Sequence, residues 1–161
     1  MYKNISSLKK IAIKDVNIAI KEDLGSGDIT TNLLGKDKNK LSSAIVRSNE
    51  DAILCGQMWF ESAFRNIQKK YGGILKIKWL KKDGEKVKKG QIICKINAPL
   101  RTILVSERTA LNFLQFLSGI STKTQLYKKK LNNKKIQILD TRKTIPGLRY
   151  CQKYAVACGG G

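Results

Sequence analysis

The sequence has 161 residues, 42% of them hydrophobic, and a formal net charge of +20 from 32 Lys and Arg against 12 Asp and Glu. This length suits one sizeable domain or two small ones, and the hydrophobic content argues against a disordered chain. The charge favours anionic partners: nucleic acid, acidic lipid, or phosphorylated and polycarboxylate small molecules. The lysines are nevertheless scattered along almost every segment, so a compositional bias explains the charge equally well.

Histidine and cysteine usage limits the chemistry further. The sequence contains no histidine, which removes the commonest general base and metal ligand. Its cysteines form no Cys-x-x-Cys pair, so no zinc site is indicated; they are Cys55, Cys94, Cys151 and Cys158. No signal peptide or membrane-spanning run is found. We therefore expect a cytoplasmic protein with free thiols and no membrane segment.

The first predicted element is a short helix over Asp15–Asp23, with Asp15 as its N-cap. The following Gly-Ser-Gly-Asp at 25–28 ends this helix. It is interpreted as a structural turn, because it lacks the full phosphate-binding pattern and no apolar strand precedes it.

Two short strands, 44–46 and 52–54, are predicted around a polar turn. A clear amphipathic helix over Gln57–Tyr71 follows, and two glycines stop it. Its aromatic side chains recur at helical spacing, which favours core packing over stacking on nucleic-acid bases; they are Trp59, Phe60 and Phe64.

The pattern then changes to short strands and turns, including a strand over 92–96. The string DGEKVKKGQII resembles the hairpin of biotinyl- and lipoyl-type barrels, but no carrier lysine lies on a hairpin tip. A long helix is predicted over 105–130, capped by Ser106, with a break or a close backbone contact around Gly119. Arg108 would lie in its first turn, where the helix dipole disfavours a cation, so a bound anion or simple surface exposure could explain it.

The last stretch of the sequence carries the strongest functional signal. An apolar run, 136–139, predicts a buried strand that ends in the polar tip Asp140-Thr141-Arg142-Lys143-Thr144. Apolar residues at helical spacing follow Pro146-Gly147 and predict a helix. Adjacent Arg and Lys at a strand end suit carboxylate or phosphate, with threonine hydroxyls as further donors. Spacing alone leaves a solvated loop equally open.

Three segments resemble one enzyme family, quinolinate phosphoribosyltransferase, also called nicotinate-nucleotide pyrophosphorylase (carboxylating). They are EDLGSGDITT (22–31), SERTALNFLQFLSGIST (106–122) and ILDTRKTIPGLRYCQKYAVACGGG (138–161). The resemblance runs in one order from about residue 15 to the last residue. It implies an α/β (α+β) fold, with an N-terminal α/β sandwich carrying the barrel-sandwich-like hairpin. Only the first strand and helix of an incomplete α/β barrel would follow. The implied domains are 1–105 and 106–161.

The resemblance also implies an activity and a site. The family joins quinolinate to phosphoribosyl pyrophosphate and releases nicotinate mononucleotide, pyrophosphate and carbon dioxide, with Mg²⁺, as a cytoplasmic homodimer in NAD biosynthesis. Arg108 matches an arginine that reaches quinolinate from the neighbouring subunit, and Thr141, Arg142 and Lys143 match its DTRK ligand group. No catalytic residue and no metal ligand can be assigned.

The family's later motifs are missing from this sequence, which predicts a partial or inactive enzyme. The alternatives are a non-catalytic basic module, binding nucleic acid weakly or a partner subunit, and a relic without activity. Nucleic acid is not the expected partner, because the lysines are dispersed.

Overall fold

The computed structural model describes residues 5–25, 31, 35–131 and 135–161. The predicted turn at 25–28 lies outside these ranges except for Gly25, which bonds back to the carbonyl of Lys21. No helix in the described ranges is long and apolar enough to cross a membrane.

The first helix, α1 (Ile5–Leu24), begins ten residues before the predicted start. The sequence contains a helical signal that the prediction missed. Apolar residues recur at every fourth position and are all buried: Leu8, Ala12, Val16 and Ile20. Asp15 is consequently not an N-cap. It lies inside the helix, buried, and accepts a hydrogen bond of 2.9 Å from the indole Nε1–H of Trp59.

The second helix, α2 (Gln57–Tyr71), has the predicted bounds. Its apolar stripe is fully buried, as predicted from its spacing: Trp59, Phe60, Ala63, Phe64 and Ile67. The helix begins after Gly56, whose φ of 114° favours glycine and where a Cβ would lie 3.2 Å from a methyl carbon of Leu117. This glycine lets α2 start directly against the long helix over Leu100–Leu131.

The long helix, α3 (Leu100–Leu131), is continuous through Gly119, so the predicted break is wrong. At Gly119 itself a Cβ would meet no atom within 4 Å, and the close contacts of this region are made by the neighbouring serines, Ser118 and Ser121. Ser118 Oγ accepts from the backbone N–H of Cys55 at 3.0 Å and donates to its carbonyl at 3.2 Å. Thr122 Oγ1 accepts from the N–H of Ile53 at 2.8 Å. These hydroxyls satisfy buried backbone groups that no strand ladder pairs.

The predicted cap of this helix is also wrong. Because α3 begins at Leu100, Ser106 lies inside it and is buried. The apolar residues at 100, 103 and 104 extend the helical pattern upstream, so the serine is not at a boundary. Arg108 likewise lies beyond the first turn, where the dipole argument no longer applies.

Five strands in the described ranges form two small sheets. Strand β5 (Ile92–Pro99) lies between β1 (Leu41–Arg47) and β3 (Lys76–Trp79), antiparallel to both. Strand β2 (Ala52–Ile53) pairs with β4 (Lys86–Val87) in the second sheet. The two segments predicted to flank the turn at 48–51 therefore belong to different sheets. The hairpin-like string likewise contributes one strand to each sheet.

The larger sheet has one covered face and one open face. Inward residues of β5 such as Cys94, Ile96 and Ala98 are buried, while Lys95 and Asn97 alternate with them and are exposed. This alternation is typical of an antiparallel sheet with one solvated face. The core lies between the covered face and helices α1, α2 and α3.

The C-terminal segment departs from the prediction at one point. Residues 136–139 form no ladder with any described strand and are not buried; Leu139 is 76% exposed. A strand needs backbone hydrogen bonds to a neighbouring strand, and the described residues form no such ladder with this segment. The helix after it, α4 (Arg149–Cys158), is present as predicted and packs on α3 through Cys151 and Ala155.

Candidate anion-binding site

The loop between the extended segment and α4 presents two free cations. Thr141, Arg142 and Lys143 are all exposed. The Arg142 and Lys143 side chains form no hydrogen bond or ion pair with any described residue. Thr141 Oγ1 accepts from the backbone N–H of Lys143 at 3.1 Å, which turns the two cationic side chains outward from one bend. The loop therefore offers a guanidinium and an ammonium, from consecutive residues, to solvent.

Helix α4 anchors this loop at both ends. The Gln152 side-chain carbonyl oxygen accepts from the backbone N–H of Ile145 at 2.8 Å. Lys153 pairs with the carboxylate of Asp140. Because Asp140 is paired with Lys153, no described carboxylate forms an ion pair with Arg142 or Lys143. Sequence reasoning missed both anchors, because Gln152 and Lys153 look like ordinary polar residues of an amphipathic helix.

Helix α4 is in turn held by the rest of the chain. Ser121 Oγ donates to the carbonyl of Ala155 at 2.7 Å, and the rings of Tyr154 and Trp59 lie 5.5 Å apart. After the helix, Gly159 passes so close to α3 that a Cβ would lie 2.4 Å from the carbonyl oxygen of Ser121. Only glycine fits there without moving the backbone.

A partly buried carboxylate links α4 to the start of α2. Both oxygens of Asp83 accept from the backbone N–H of Gln57, at 3.2 and 3.3 Å, and Tyr154 donates its hydroxyl to Oδ2 at 2.9 Å. Burial raises the pKa of Asp83, and the Gln57 N–H opposes that rise. The turn that contains Asp83 thus caps α2 and also holds α4, the helix that carries the loop.

Arg108 lies apart from this loop in the described contacts. It is exposed on α3 and forms an ion pair of 2.6 Å with Asp23 at the end of α1, which raises the pKa of Arg108. No described hydrogen bond or ion pair joins it to Thr141, Arg142 or Lys143. The four predicted site residues therefore form one contiguous group of three and one separate arginine.

A sizeable groove lies elsewhere on the chain. It has a volume of about 510 Å³ and runs between the β1–β2 connection and α3, over Leu111, Leu114 and Gln115. None of the four predicted site residues lines it. The candidate site is an open, anchored loop and not a closed cavity.

Comparison with known proteins decides the family. The model of the quinolinate phosphoribosyl transferase N-terminal domain matches residues 28–118, and that of the C-terminal domain matches residues 120–161. The chain belongs to the quinolinate phosphoribosyltransferase family. This confirms the resemblance read from the three sequence segments, and with it the α/β fold class.

Individual relatives agree with this assignment. The chain is 35% identical over 158 residues to a probable nicotinate-nucleotide pyrophosphorylase (carboxylating) of Bacillus subtilis, covering 98% of the chain and 51% of the relative. It is 40% identical over 156 residues to the corresponding protein of Methanocaldococcus jannaschii, covering 96% and 52%. The chain thus spans about half the length of these curated relatives.

A solved structure shows the same arrangement of elements. The nicotinate-nucleotide pyrophosphorylase of Francisella tularensis superposes with a TM-score of 0.86 at 40% identity, covering 95% of this chain and 52% of that one. The elements described here therefore correspond to the family fold over nearly the whole chain. The extended segment at 136–140 and helix α4 fall within the part that matches the family's C-terminal domain.

Proposed function

We propose that the loop containing Thr141, Arg142 and Lys143 binds the carboxylates of quinolinate in a phosphoribosyltransferase reaction. That reaction joins quinolinate to phosphoribosyl pyrophosphate and yields nicotinate mononucleotide, pyrophosphate and carbon dioxide. The observation that supports the proposal is the pair of adjacent, exposed cations, unpaired with any described residue, on a loop anchored by α4. Membership of the family supplies the substrate class.

The chemistry of these side chains suits a dicarboxylate. The planar guanidinium of Arg142 can hold one carboxylate with two parallel hydrogen bonds, and the ammonium of Lys143 supplies a compact charge for the other. The Thr141 hydroxyl accepts the Lys143 N–H and can donate its own proton to a carboxylate oxygen. Two fixed carboxylates orient the pyridine ring, so the ring nitrogen can be aimed at the ribosyl carbon.

Arg108 belongs to this proposal through a second copy of the chain. We propose a homodimer in which Arg108 of one protomer completes the quinolinate site of the other. Its exposure on α3, away from Arg142 in the described contacts, agrees with a role in trans. Within the chain, the one described ion-pair partner of Arg108 is Asp23. An ion pair at the surface contributes little to stability, so Arg108 can exchange the Asp23 carboxylate for a carboxylate of the ligand.

Magnesium is implied by the family resemblance, and the described residues do not fit it. They contain no group of three or more Cys, Asp or Glu side chains that could hold a metal ion. The carboxylate next to the cationic loop, Asp140, is paired with Lys153. No step of the proposal is therefore routed through the ion.

The remaining parts of the proposal concern domains and location. We propose a division near residues 105–106 into an N-terminal sandwich and the beginning of the barrel domain, with α3 as the element shared between them. We also propose a cytoplasmic location. The support is that all four cysteines are free thiols, as expected of a reducing compartment.

A mixing experiment tests the composite site. Arg108→Ala and Arg142→Ala chains are each expected to lose quinolinate binding. If sites form between protomers, re-equilibrated mixtures of the two contain heterodimers with one intact site, and about a quarter of all sites are restored. Isothermal titration calorimetry measures this stoichiometry. No restored binding in a mixture shown to be dimeric would contradict the role of Arg108 in trans.

A further inference from the structure

Two consecutive residues of α4 hold the two ends of the cationic loop. Lys153 pairs with the carboxylate of Asp140, the residue just before the loop. The side-chain oxygen of Gln152 accepts from the backbone N–H of Ile145, the residue just after the loop, at 2.8 Å. Because neighbouring residues of a helix have a fixed separation, the two ends of the loop are also kept at a fixed separation. Only residues 141–144 lie between them.

Hydrogen bonds within the loop restrict it further. The N–H of Lys143 donates to Thr141 Oγ1 at 3.1 Å, and the N–H of Thr144 donates to the carbonyl of Arg142 at 3.0 Å. With the bond from Ile145, three consecutive backbone N–H groups therefore have acceptors within the described chain. A loop that is already restrained loses less conformational entropy when a ligand binds to it.

The carboxylate of Asp140 needs its own explanation, because an acid next to an anion-binding loop repels the ligand. Its side chain is 33% exposed and lies two positions before Arg142 in the sequence. The ammonium of Lys153 contacts this carboxylate and offsets its negative charge at the loop. Lys153 thus allows Asp140 to anchor the loop with little repulsion of an anion.

We propose that three residues hold the cationic loop in its quinolinate-binding geometry without touching the ligand: Asp140, Gln152 and Lys153. This inference rests on the function proposed above. Asp140 and Lys153 pair with each other, and the Gln152 side-chain oxygen is occupied by the loop backbone. They are positioning residues: because the loop is ordered before the ligand arrives, less of the binding free energy is lost in ordering it.

Two variants remove these contacts without changing the net charge. Gln152→Ala removes the acceptor for the N–H of Ile145, and the pair-deletion variant, Asp140→Ala with Lys153→Ala, removes one acid and one base. If these residues acted through charge alone, neither variant would alter the affinity for quinolinate. The positioning role predicts binding that is about three- to tenfold weaker in both, the cost of ordering one or two side chains during binding.

Nuclear magnetic resonance tests the restraint on the loop without any ligand. Backbone order parameters of residues 142–145 should be about 0.85 in the wild type and should fall towards about 0.6 in Gln152→Ala and in the pair-deletion variant. Gln152→Glu keeps an acceptor for the N–H of Ile145 and should restore the wild-type values. Gln115→Ala, at an exposed glutamine of α3, is the matched control and should leave them unchanged. Unchanged order parameters in α2 show that the variants are folded.

Calorimetric titration with quinolinate then tests the consequence for binding. The wild type and Gln115→Ala should bind equally, and Gln152→Ala and the pair-deletion variant should bind about three- to tenfold more weakly. Loop order parameters that stay the same in all variants would overturn the proposal whether or not quinolinate binds. A loosened loop with unchanged affinity would overturn the positioning role and leave the proposed function intact. No binding by a wild type with an ordered loop would contradict the proposed function itself, and the positioning role with it.

Discussion

Two apolar side chains show how differently the two parts of this chain are organised. Trp59 in α2 is fully buried, with its indole N–H bonded to Asp15. Leu139, just before the cationic loop, is 76% exposed. In the first part, the apolar stripe of α2 is buried by other elements of the same chain. The second keeps the sequence pattern of a buried strand, yet no described segment pairs with it. Helix α4 therefore holds the backbone of the cationic loop in place, while the side chains of Arg142 and Lys143 remain exposed to solvent.

The largest expected effect is in the core. Trp59→Ala should lower the free energy of unfolding by about 3–5 kcal/mol, because it removes a large buried ring and leaves the Asp15 carboxylate without its donor. Urea denaturation followed by circular dichroism measures this difference.

Leu139→Ala is the matched substitution in the other part. Because Leu139 is mostly exposed, the change should stay within about 0.5 kcal/mol. A loss from Leu139→Ala comparable to that from Trp59→Ala would show that residues 136–139 are buried in solution, and the contrast between the two parts would be lost.

Two serines on α3 allow the two parts to be compared further, because Ser118 contacts the first part at Cys55 and Ser121 contacts the second at Ala155. Ser118→Ala leaves the backbone N–H of the buried Cys55 without its acceptor and should cost about 1–3 kcal/mol. Ser121→Ala should cost less, about 0.5–1.5 kcal/mol, because the carbonyl of Ala155 still accepts from the N–H of Gly159. The same urea titrations compare the two variants, and an equal or reversed order would contradict this reading of the contacts.

Buried Asp15 predicts a smaller, pH-dependent effect. Burial raises its pKa, so the native state binds the proton more tightly than the unfolded state. Its contribution to stability is therefore greatest below the ordinary carboxyl pKa of about 3.9 and is lost as the pH rises through the raised native value.

Asp15→Asn keeps an acceptor for the Trp59 N–H and removes the titration. Relative to this variant, the wild type should lose stability as the pH rises above about 4. Urea midpoints of both proteins across that pH range measure the difference. A constant difference between the two proteins would contradict a raised pKa at Asp15.

Sequence reasoning succeeded where the decisive contacts are local. The bounds of α2 were predictable because an amphipathic stripe ends at paired glycines, and α4 was predictable from its spacing after Pro146-Gly147. The start of α1 could also have been predicted locally, from the four-residue spacing of apolar residues from Leu8 to Ile20. Because Asp15 resembled an N-cap, the helix was predicted to begin there instead.

What could not be predicted depends on distant partners. Strand β5 pairs with both β1 and β3, and β1 is far from β5 in the sequence. The alternation of apolar and polar residues within one strand does not indicate which other strand it pairs with. The same holds for Asp83, which caps α2 and accepts a hydrogen bond from Tyr154, two partners that lie 26 and 71 residues away in the sequence. At the candidate site, the cations were found from the sequence, whereas their anchors, Gln152 and Lys153, required the structure.

The most direct measurement is a calorimetric titration of the 161-residue chain with quinolinate, beside Arg142→Ala. Lys95→Ala, an exposed cation on the open sheet face, serves as the matched control, and nicotinate, with one carboxylate on the same ring, serves as the control ligand. We predict saturable quinolinate binding that Arg142→Ala abolishes and Lys95→Ala preserves, with weaker binding of nicotinate. No binding by a folded chain, or equal losses in both variants, would contradict the assignment of the loop as the quinolinate site.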